Sequence, residues 1–362
     1  MNVAVEAKPV VAVLCFGAQR KGMVIKVKSL VYYDRIKYNN SLLRPKMVSW
    51  EITNKCNLFC KHCLNNSGDS CHYQFEDELQ DIEQIELAKQ IAELRPEQFC
   101  LCGGETLLNK NIYEIINIVS SAGVMVNMVT NGTLITDSVA KKLKESGISH
   151  VQVSVDGLGC QHDIFRNTKG AFDKSIRGIR FLKENKIKVM VSCCPNKLNF
   201  ASFLTYIDYL QNQMGVDCFR LMPLLPIGRA ETECKDLFLN SYEYFNLVQK
   251  IIMLKKNAPN LNIEWGDPLE HLNLILLSKR KYPIVMSISS VGELTITPYI
   301  PIVLGTVRGD DLLSIWLDGY NKIWTNKDIL NIIRKVKNIY DLSQFGDTIS
   351  IEELSWRNIS NS

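Results

Sequence analysis

Val48-Ser49-Trp50-Glu51-Ile52 runs almost directly into Cys56-Asn57-Leu58-Phe59-Cys60-Lys61-His62-Cys63. The β-branched and aromatic residues of the first run predict a strand over 48–53, and the three thiols then fall in the loop that follows it. Thiolates at this density suit soft metals, so the candidates are zinc and an iron–sulfur cluster. A structural zinc site wants four closed ligands, usually as two separated cysteine pairs, and no second pair at such spacing occurs. Three thiolates on a four-iron cubane leave one iron without a protein ligand, the arrangement needed when a substrate or cofactor binds iron directly. Cys71 follows eight residues later and is not read as a fourth ligand.

Downstream of the loop, short apolar runs alternate with amphipathic ones, which predicts a parallel sheet wrapped by helices. Strands are expected at 48–53, 98–102, 124–129, 150–155, 187–193 and 217–222, with helices near 83–95, 111–122, 136–146, 170–185 and 199–213. Six such units make a partial (β/α)6 barrel of the TIM type, an α/β fold whose chemistry sits on the loops at the C-terminal strand ends. The remaining motifs occupy such positions. Cys102-Gly103-Gly104-Glu105-Thr106 follows the second strand, and its glycines let backbone approach a ligand while a carboxylate held there accepts hydrogen bonds from an ammonium group. Thr130-Asn131-Gly132 ends the third strand, and Val153-Ser154-Val155-Asp156-Gly157 ends the fourth, followed by His162, Asp163 and Arg166. The sixth gives Phe219-Arg220-Leu221-Met222-Pro223, where an arginine facing the lumen suits a carboxylate, and then Pro226-Ile227-Gly228-Arg229-Ala230. Each of these alone is an ordinary turn; their order along the chain carries the weight.

In that order, the motifs resemble those of the radical S-adenosylmethionine (SAM) superfamily, over about residues 46–325. The resemblance implies that Cys56, Cys60 and Cys63 hold one 4Fe–4S cluster. It further implies that Gly103, Gly104 and Glu105 meet the amino group of SAM, and that Asn131, Ser154, Asp156, Arg166 and Arg220 complete its site. Thr106 stands where the family usually has proline. A reduced cluster, charged by an external one-electron donor of flavodoxin or ferredoxin type, would then split SAM to methionine and a 5′-deoxyadenosyl radical that takes a hydrogen atom from substrate.

The C-terminal third predicts a strand-turn-strand around Val291-Gly292-Glu293, then a loop, then a helix. With Leu304-Gly305-Thr306-Val307-Arg308 and the start at Leu313-to-Trp316, it resembles the SPASM or twitch extension of peptide-modifying members, a small α+β unit, which implies a precursor peptide as substrate. Such extensions usually carry cysteines for auxiliary clusters. Here none follows Cys234, and Thr297 stands where a ligand is expected, so one cluster per chain is predicted. Without auxiliary clusters a two-electron oxidation lacks its internal acceptor, which favours a redox-neutral outcome: epimerisation at an α-carbon, ahead of cross-linking. Hydrogen return then needs a thiol, and Cys193, Cys194 and Cys218 are the candidates, at most one of them the donor. The alternatives are a radical enzyme acting on a small metabolite, or a degenerate peptide-binding protein without catalysis.

The 362-residue chain is 46% apolar, enough for a large core, and its 42 basic and 38 acidic residues form no dense basic run, which argues against nucleic acid. No apolar stretch reaches the ~18–20 residues of a membrane helix, and Glu6, Lys8 and Pro9 interrupt the apolar start, which is read as a strand or arm in the cytoplasm. The expected organisation is an N-terminal arm of unassigned role (1–45), the barrel (46–235), and a linker helix with the metal-free extension (236–362).

Overall fold

The computed structural model describes residues 11–13, 26–28, 44–69, 75–277, 283, 285–345 and 349–350. Cys71 and most of the N-terminal arm lie outside them. Within the arm, β1 (Val11–Val13) and β2 (Lys26–Lys28) form an antiparallel pair of their own.

The six expected strands are present in parallel, side by side and in chain order: β3 (Met47–Thr53), β4 (Gln98–Gly103), β5 (Met125–Thr130), β6 (His150–Ser154), β7 (Lys188–Cys193) and β8 (Cys218–Leu221). Between them run α1 (Asp81–Leu94), α2 (Ile112–Ser121), α3 (Asp137–Glu145), the pair α4 (Cys160–Phe165) and α5 (Ala171–Glu184), and α6 (Phe203–Asp208). The helix expected over 199–213 is shorter, because its second half widens into a π-turn over Tyr209–Gln213. The short α4 was not expected; its six residues are too few to show a helical period.

The period of two along each strand decides which side chains meet the helices. Val48, Trp50 and Ile52 of β3, Phe99 and Leu101 of β4, Val151 and Val153 of β6, and Phe219 and Leu221 of β8 are all fully buried in one core under the helices. Each contributes roughly 1.5–3 kcal/mol over leaving it in water. The alternate residues, among them Ser49, Glu51, Cys100, Cys102, Gln152, Ser192 and Arg220, occupy the opposite, inner face and are mostly polar.

Two further strands, from the region that follows the six units, extend the same sheet at its edges. After α7 (Ala230–Glu233) and α8 (Ser241–Asn257), β9 (Asn262–Trp265) joins β8; after α9 (Pro268–Leu277), β10 (Val285–Ile288) joins β3, both parallel to their neighbours. The parallel run is therefore eight strands wide. The expected hairpin is present, with β10 antiparallel to β11 (Glu293–Thr295) around Gly292. The segment expected as a loop contains β12 (Ile302–Thr306), antiparallel to β11, before α10 (Leu312–Leu317), α11 (Lys327–Ile333) and β13 (Ile349–Ser350), which pairs with β12. No helix among the described residues is long and apolar enough to cross a membrane.

Candidate active site

The cysteine loop leaves the C-terminal end of β3 and is tied down on every side. Glu78, buried, accepts the Thr53 hydroxyl (2.9 and 3.1 Å) and the Asn54 N–H (2.5 Å), which fixes the point of departure. The Gly104 and Glu105 N–H groups donate to the carbonyls of Thr53 and Lys55, and a Cβ at Gly104 would run into the Lys55 carbonyl. On the far side, the Arg229 N–H donates to the Cys63 carbonyl, and its guanidinium donates to the carbonyls of Cys60 (2.9 Å) and Ser67 (3.0 Å) while lying 3.8 Å over the Phe59 ring. Gly228, at φ +60°, lets this strap close: a Cβ there would strike the carbonyls of Cys63 and Leu64.

All three sulfurs receive donors. The Leu58 N–H faces Cys56, the Ser67 N–H reaches Cys63 Sγ at 3.3 Å, and Arg166 reaches Cys60 Sγ at 3.8 Å. Burial pushes the Cys56 thiol up to about 11, with the Leu58 N–H opposing and the nearby Cys60, Glu105 and Cys63 adding to it. Among the described residues no three His, Cys, Asp or Glu side chains converge on the point one metal ion would occupy. A cubane instead takes its thiolates at three separate corners, and N–H groups aimed at the sulfurs are what stabilises such ligands, so this donor set fits a 4Fe–4S cluster.

Beside Cys60 lies a buried charge network. Both Nε and an Nη of Arg166 donate to one oxygen of Asp156 at 2.7 Å; the other oxygen accepts the Cys194 N–H at 2.7 Å. His62 stacks on Phe165 with centroids 3.9 Å apart and brings Nε2 to 3.7 Å from Asp156, and His162 accepts the Asp156 N–H at 3.0 Å. Burial pushes Asp156 up, but Arg166, His62 and His162 together more than offset it and hold the carboxyl below its usual range. Burial pushes His62 down to about 3, with Asp156 opposing, so its ring is neutral.

The remaining candidates are distributed as follows. Glu105 is fully buried and already accepts the Thr130 hydroxyl (2.7 Å), the Asn131 N–H (2.8 Å) and the Leu107 N–H (3.2 Å), so it ties the Gly103–Gly104 turn to the end of β5. Asn131 donates to Asn57 at 2.8 Å, linking that same end to the cysteine loop. Ser154 accepts the Ser192 hydroxyl at 3.2 Å at the end of β6. Arg220 is part-exposed on the inner face, with Glu264 of β9 as a loose partner at 4.0 Å.

The three thiol candidates fare differently. Cys193 is 2% exposed, belongs to the core under the helices, and interacts with Asn199 and Tyr206, so it points away from the lumen. Cys218 shares the inner face with Arg220 but begins β8, at the end opposite the cysteine loop, where Asn262 donates to it at 3.3 Å. Cys194 packs against a satellite cluster of Phe165, Leu224, Ala230 and Cys234. In the extension, Thr297 is buried and its hydroxyl accepts the Tyr299 N–H at 3.3 Å, a turn-stabilising contact. Glu78 carries no motif signal of its own and was missed; Arg229 stood in a recognised motif, without its strap role being visible.

Together these define an α/β barrel with a thiolate-bearing loop and a polar lumen at its C-terminal mouth. Residues 50–210, the stretch from β3 into the turn after α6, match the Radical SAM superfamily. That family's cofactors are a 4Fe–4S cluster and SAM. Among similar proteins, an AdoMet-dependent heme synthase of Methanosarcina barkeri is 25% identical over 75% of this chain and 82% of its own length. The mycofactocin maturase MftC of Mycolicibacterium smegmatis is 29% identical over 82% and 74%, and the sporulation killing factor maturation protein SkfB of Bacillus subtilis 29% over 62% and 52%. Further heme-synthase relatives are matched over only about half their length. Two solved structures share the fold: Streptococcus suis SuiB bound to precursor peptide SuiA (TM-score 0.62, 16% identity, 83% and 71% covered) and anSMEcpe with bound AdoMet (0.61, 20%, 80% and 84%).

Proposed function

We propose that this radical SAM enzyme modifies a ribosomally made peptide, by redox-neutral epimerisation at an α-carbon ahead of cross-linking. The observation that carries the reading is the extension: β10 continues the barrel's own sheet, β11 and β12 build on it, and no cysteine follows Cys234. An extension held at the barrel edge offers strands for a peptide to lie against without offering a second cluster an electron could enter. The precursor peptide bound by SuiB and the maturase roles of MftC and SkfB support the same substrate class. We take 46–235 as the barrel, 236–362 as the linker helix and extension, and 1–45 as an arm.

When bound, the cluster and SAM supply the 5′-deoxyadenosyl radical. The chain's part is to position and exclude. Cys56, Cys60 and Cys63 hold the cluster within a loop fixed by Glu78 and Arg229. Gly103 and Gly104 bring backbone up to the SAM amino group, Glu105 and Asn131 hold that turn in place, and Ser154 and Arg220 offer polar atoms on the inner face. Asp156 and Arg166 act on the cluster side rather than as free SAM contacts, since each is the other's partner. An external one-electron donor of flavodoxin or ferredoxin type completes the cycle.

The heme-synthase relatives favour a second reading, a carboxylate-bearing small molecule held by Arg220. Reconstituted enzyme incubated in deuterated water with a short peptide encoded beside its gene separates them. Epimerisation by hydrogen return adds one deuterium at the inverted carbon. A peptide lighter by two hydrogens means cross-linking or desaturation, and an unmodified peptide beside turnover of an iron-porphyrin substrate transfers the assignment to the second reading.

A further inference from the structure

Two thiols stand inside the barrel, on the strand that leads into the Gly103–Gly104 turn. Cys100 and Cys102 are two residues apart on β4, so they share a face, and it is the face away from buried Phe99 and Leu101. That face is the lumen: Arg220 of β8, four strands away in the sheet, is close enough to act on Cys100. Cys102 sits nearer the mouth. Its sulfur lies 3.5 Å from the Ser49 hydroxyl and 3.6 Å from the Trp50 carbonyl, and its register partner is Glu51, which accepts Asn65 of the cysteine loop at 2.8 Å. Asn127, the register partner of Cys100, is 6% exposed and its Oδ1 has no partner, an acceptor open toward the same space.

A barrel that handles carbon radicals must keep weak X–H bonds out of its lumen unless they are used, because S–H yields its hydrogen atom to a carbon radical far more readily than C–H does. We propose that Cys102, backed by Cys100, is the thiol that hands a hydrogen atom to carbon radicals formed in the lumen. The inference rests on the radical chemistry of the proposed function and replaces Cys193, Cys194 and Cys218 as donors. In the step the S–H bond breaks, a C–H bond forms at the radical carbon, and the odd electron passes to sulfur. The resulting thiyl returns to thiol by taking one electron from the one-electron donor that also charges the enzyme and one proton from solvent by way of the Glu51 carboxyl. The surroundings keep Cys102 protonated for this: the Cys100 thiol, burial and Glu51 all push it up, and burial pushes Glu51 up despite Asn65.

The test needs no peptide. Reconstituted, cluster-loaded enzyme is given SAM and dithionite in deuterated water, without added thiols, and the 5′-deoxyadenosine formed is analysed by mass. A radical quenched by an exchangeable lumen thiol leaves one deuterium in it. The wild type should carry that label, and Cys102→Ser should cut the labelled fraction at least ten-fold, since a hydroxyl exchanges with solvent but its O–H bond is too strong to donate. Exposed Cys160→Ser should leave it unchanged. Cys102→Ala serves as a second variant, and iron content verifies loading in each. Label retained in both Cys102 variants, or absent from wild-type product, overturns the inference while leaving the radical reading intact; no 5′-deoxyadenosine from the wild type overturns both.

Discussion

Removing the Arg166 guanidinium strands a carboxylate. Asp156 is 2% exposed and Arg166 11%, and two 2.7 Å bonds to one oxygen join them, so neither charge has water to fall back on. Breaking such a pair from one side costs about 3–5 kcal/mol, because the surviving partner stays buried and uncompensated. Asp156 keeps the Cys194 N–H and His62, which places Arg166→Met toward the lower end, at about 3 kcal/mol. Asp156→Asn leaves a buried guanidinium and should cost about as much. The double variant should cost less than the sum by about 2–3 kcal/mol, the coupling expected of directly bonded groups. Urea unfolding of the reduced, cluster-free protein, followed by tryptophan fluorescence, gives all three values. Because Arg166 also reaches Cys60 Sγ, Arg166→Met that still loads a cluster should shift its reduction potential downward, as loss of a positive charge and a hydrogen bond at a sulfur ligand requires. Additive single effects, or single losses below ~1 kcal/mol, would refute a functional pair here.

Anaerobically reconstituted protein should bind about four irons and not eight, and changing Cys56, Cys60 and Cys63 together to Ala should abolish binding; eight irons in the wild type would sink the metal-free extension. Glu105→Gln replaces three charge-assisted contacts by neutral ones and turns an amide N–H toward a donor, so SAM affinity should fall about ten-fold together with a lower melting temperature, at unchanged iron content. Full affinity in that variant would remove the Gly103–Gly104 turn from the SAM site. Burial first, and Arg220 second, hold His271 down to about 4 against an unfolded value of about 6.5. The unfolded chain therefore binds the extra proton, stability is full above pH ~6.5 and falls toward pH ~4 by up to about 3 kcal/mol, and His271→Phe should flatten that slope in urea midpoints measured across the range.

Much of the fold was legible because it rests on period. Six strands with buried alternate residues announce themselves, and β3 through β8 fall within a few residues of expectation. β9 did not, since Asn-Ile-Glu-Trp is too short and polar to stand out, and its place is decided by β8 already being there to pair with. β10 was seen as half of a hairpin, but its parallel union with β3 is a long-range choice that no local pattern encodes. At the site, residue types were readable and their partners were not. Asp156 and Arg166 were both named, yet only the fold shows that they satisfy one another beside Cys60. Cys193 and Cys218 illustrate the opposite error: a cysteine on a barrel strand has two faces and two ends to choose from, and each occupies a wrong one. Cys102 was passed over as the residue before a glycine motif, although its spacing from Cys100 places both on one face.

On the function proposed above, this chain cleaves SAM through a cluster on Cys56, Cys60 and Cys63. Purified, anaerobically reconstituted protein reduced with dithionite should convert SAM to 5′-deoxyadenosine and methionine in equal amounts, and the protein with those three cysteines changed to Ala should form neither. Cleavage that survives the triple change, or a cluster-loaded wild type that forms no 5′-deoxyadenosine, would contradict it.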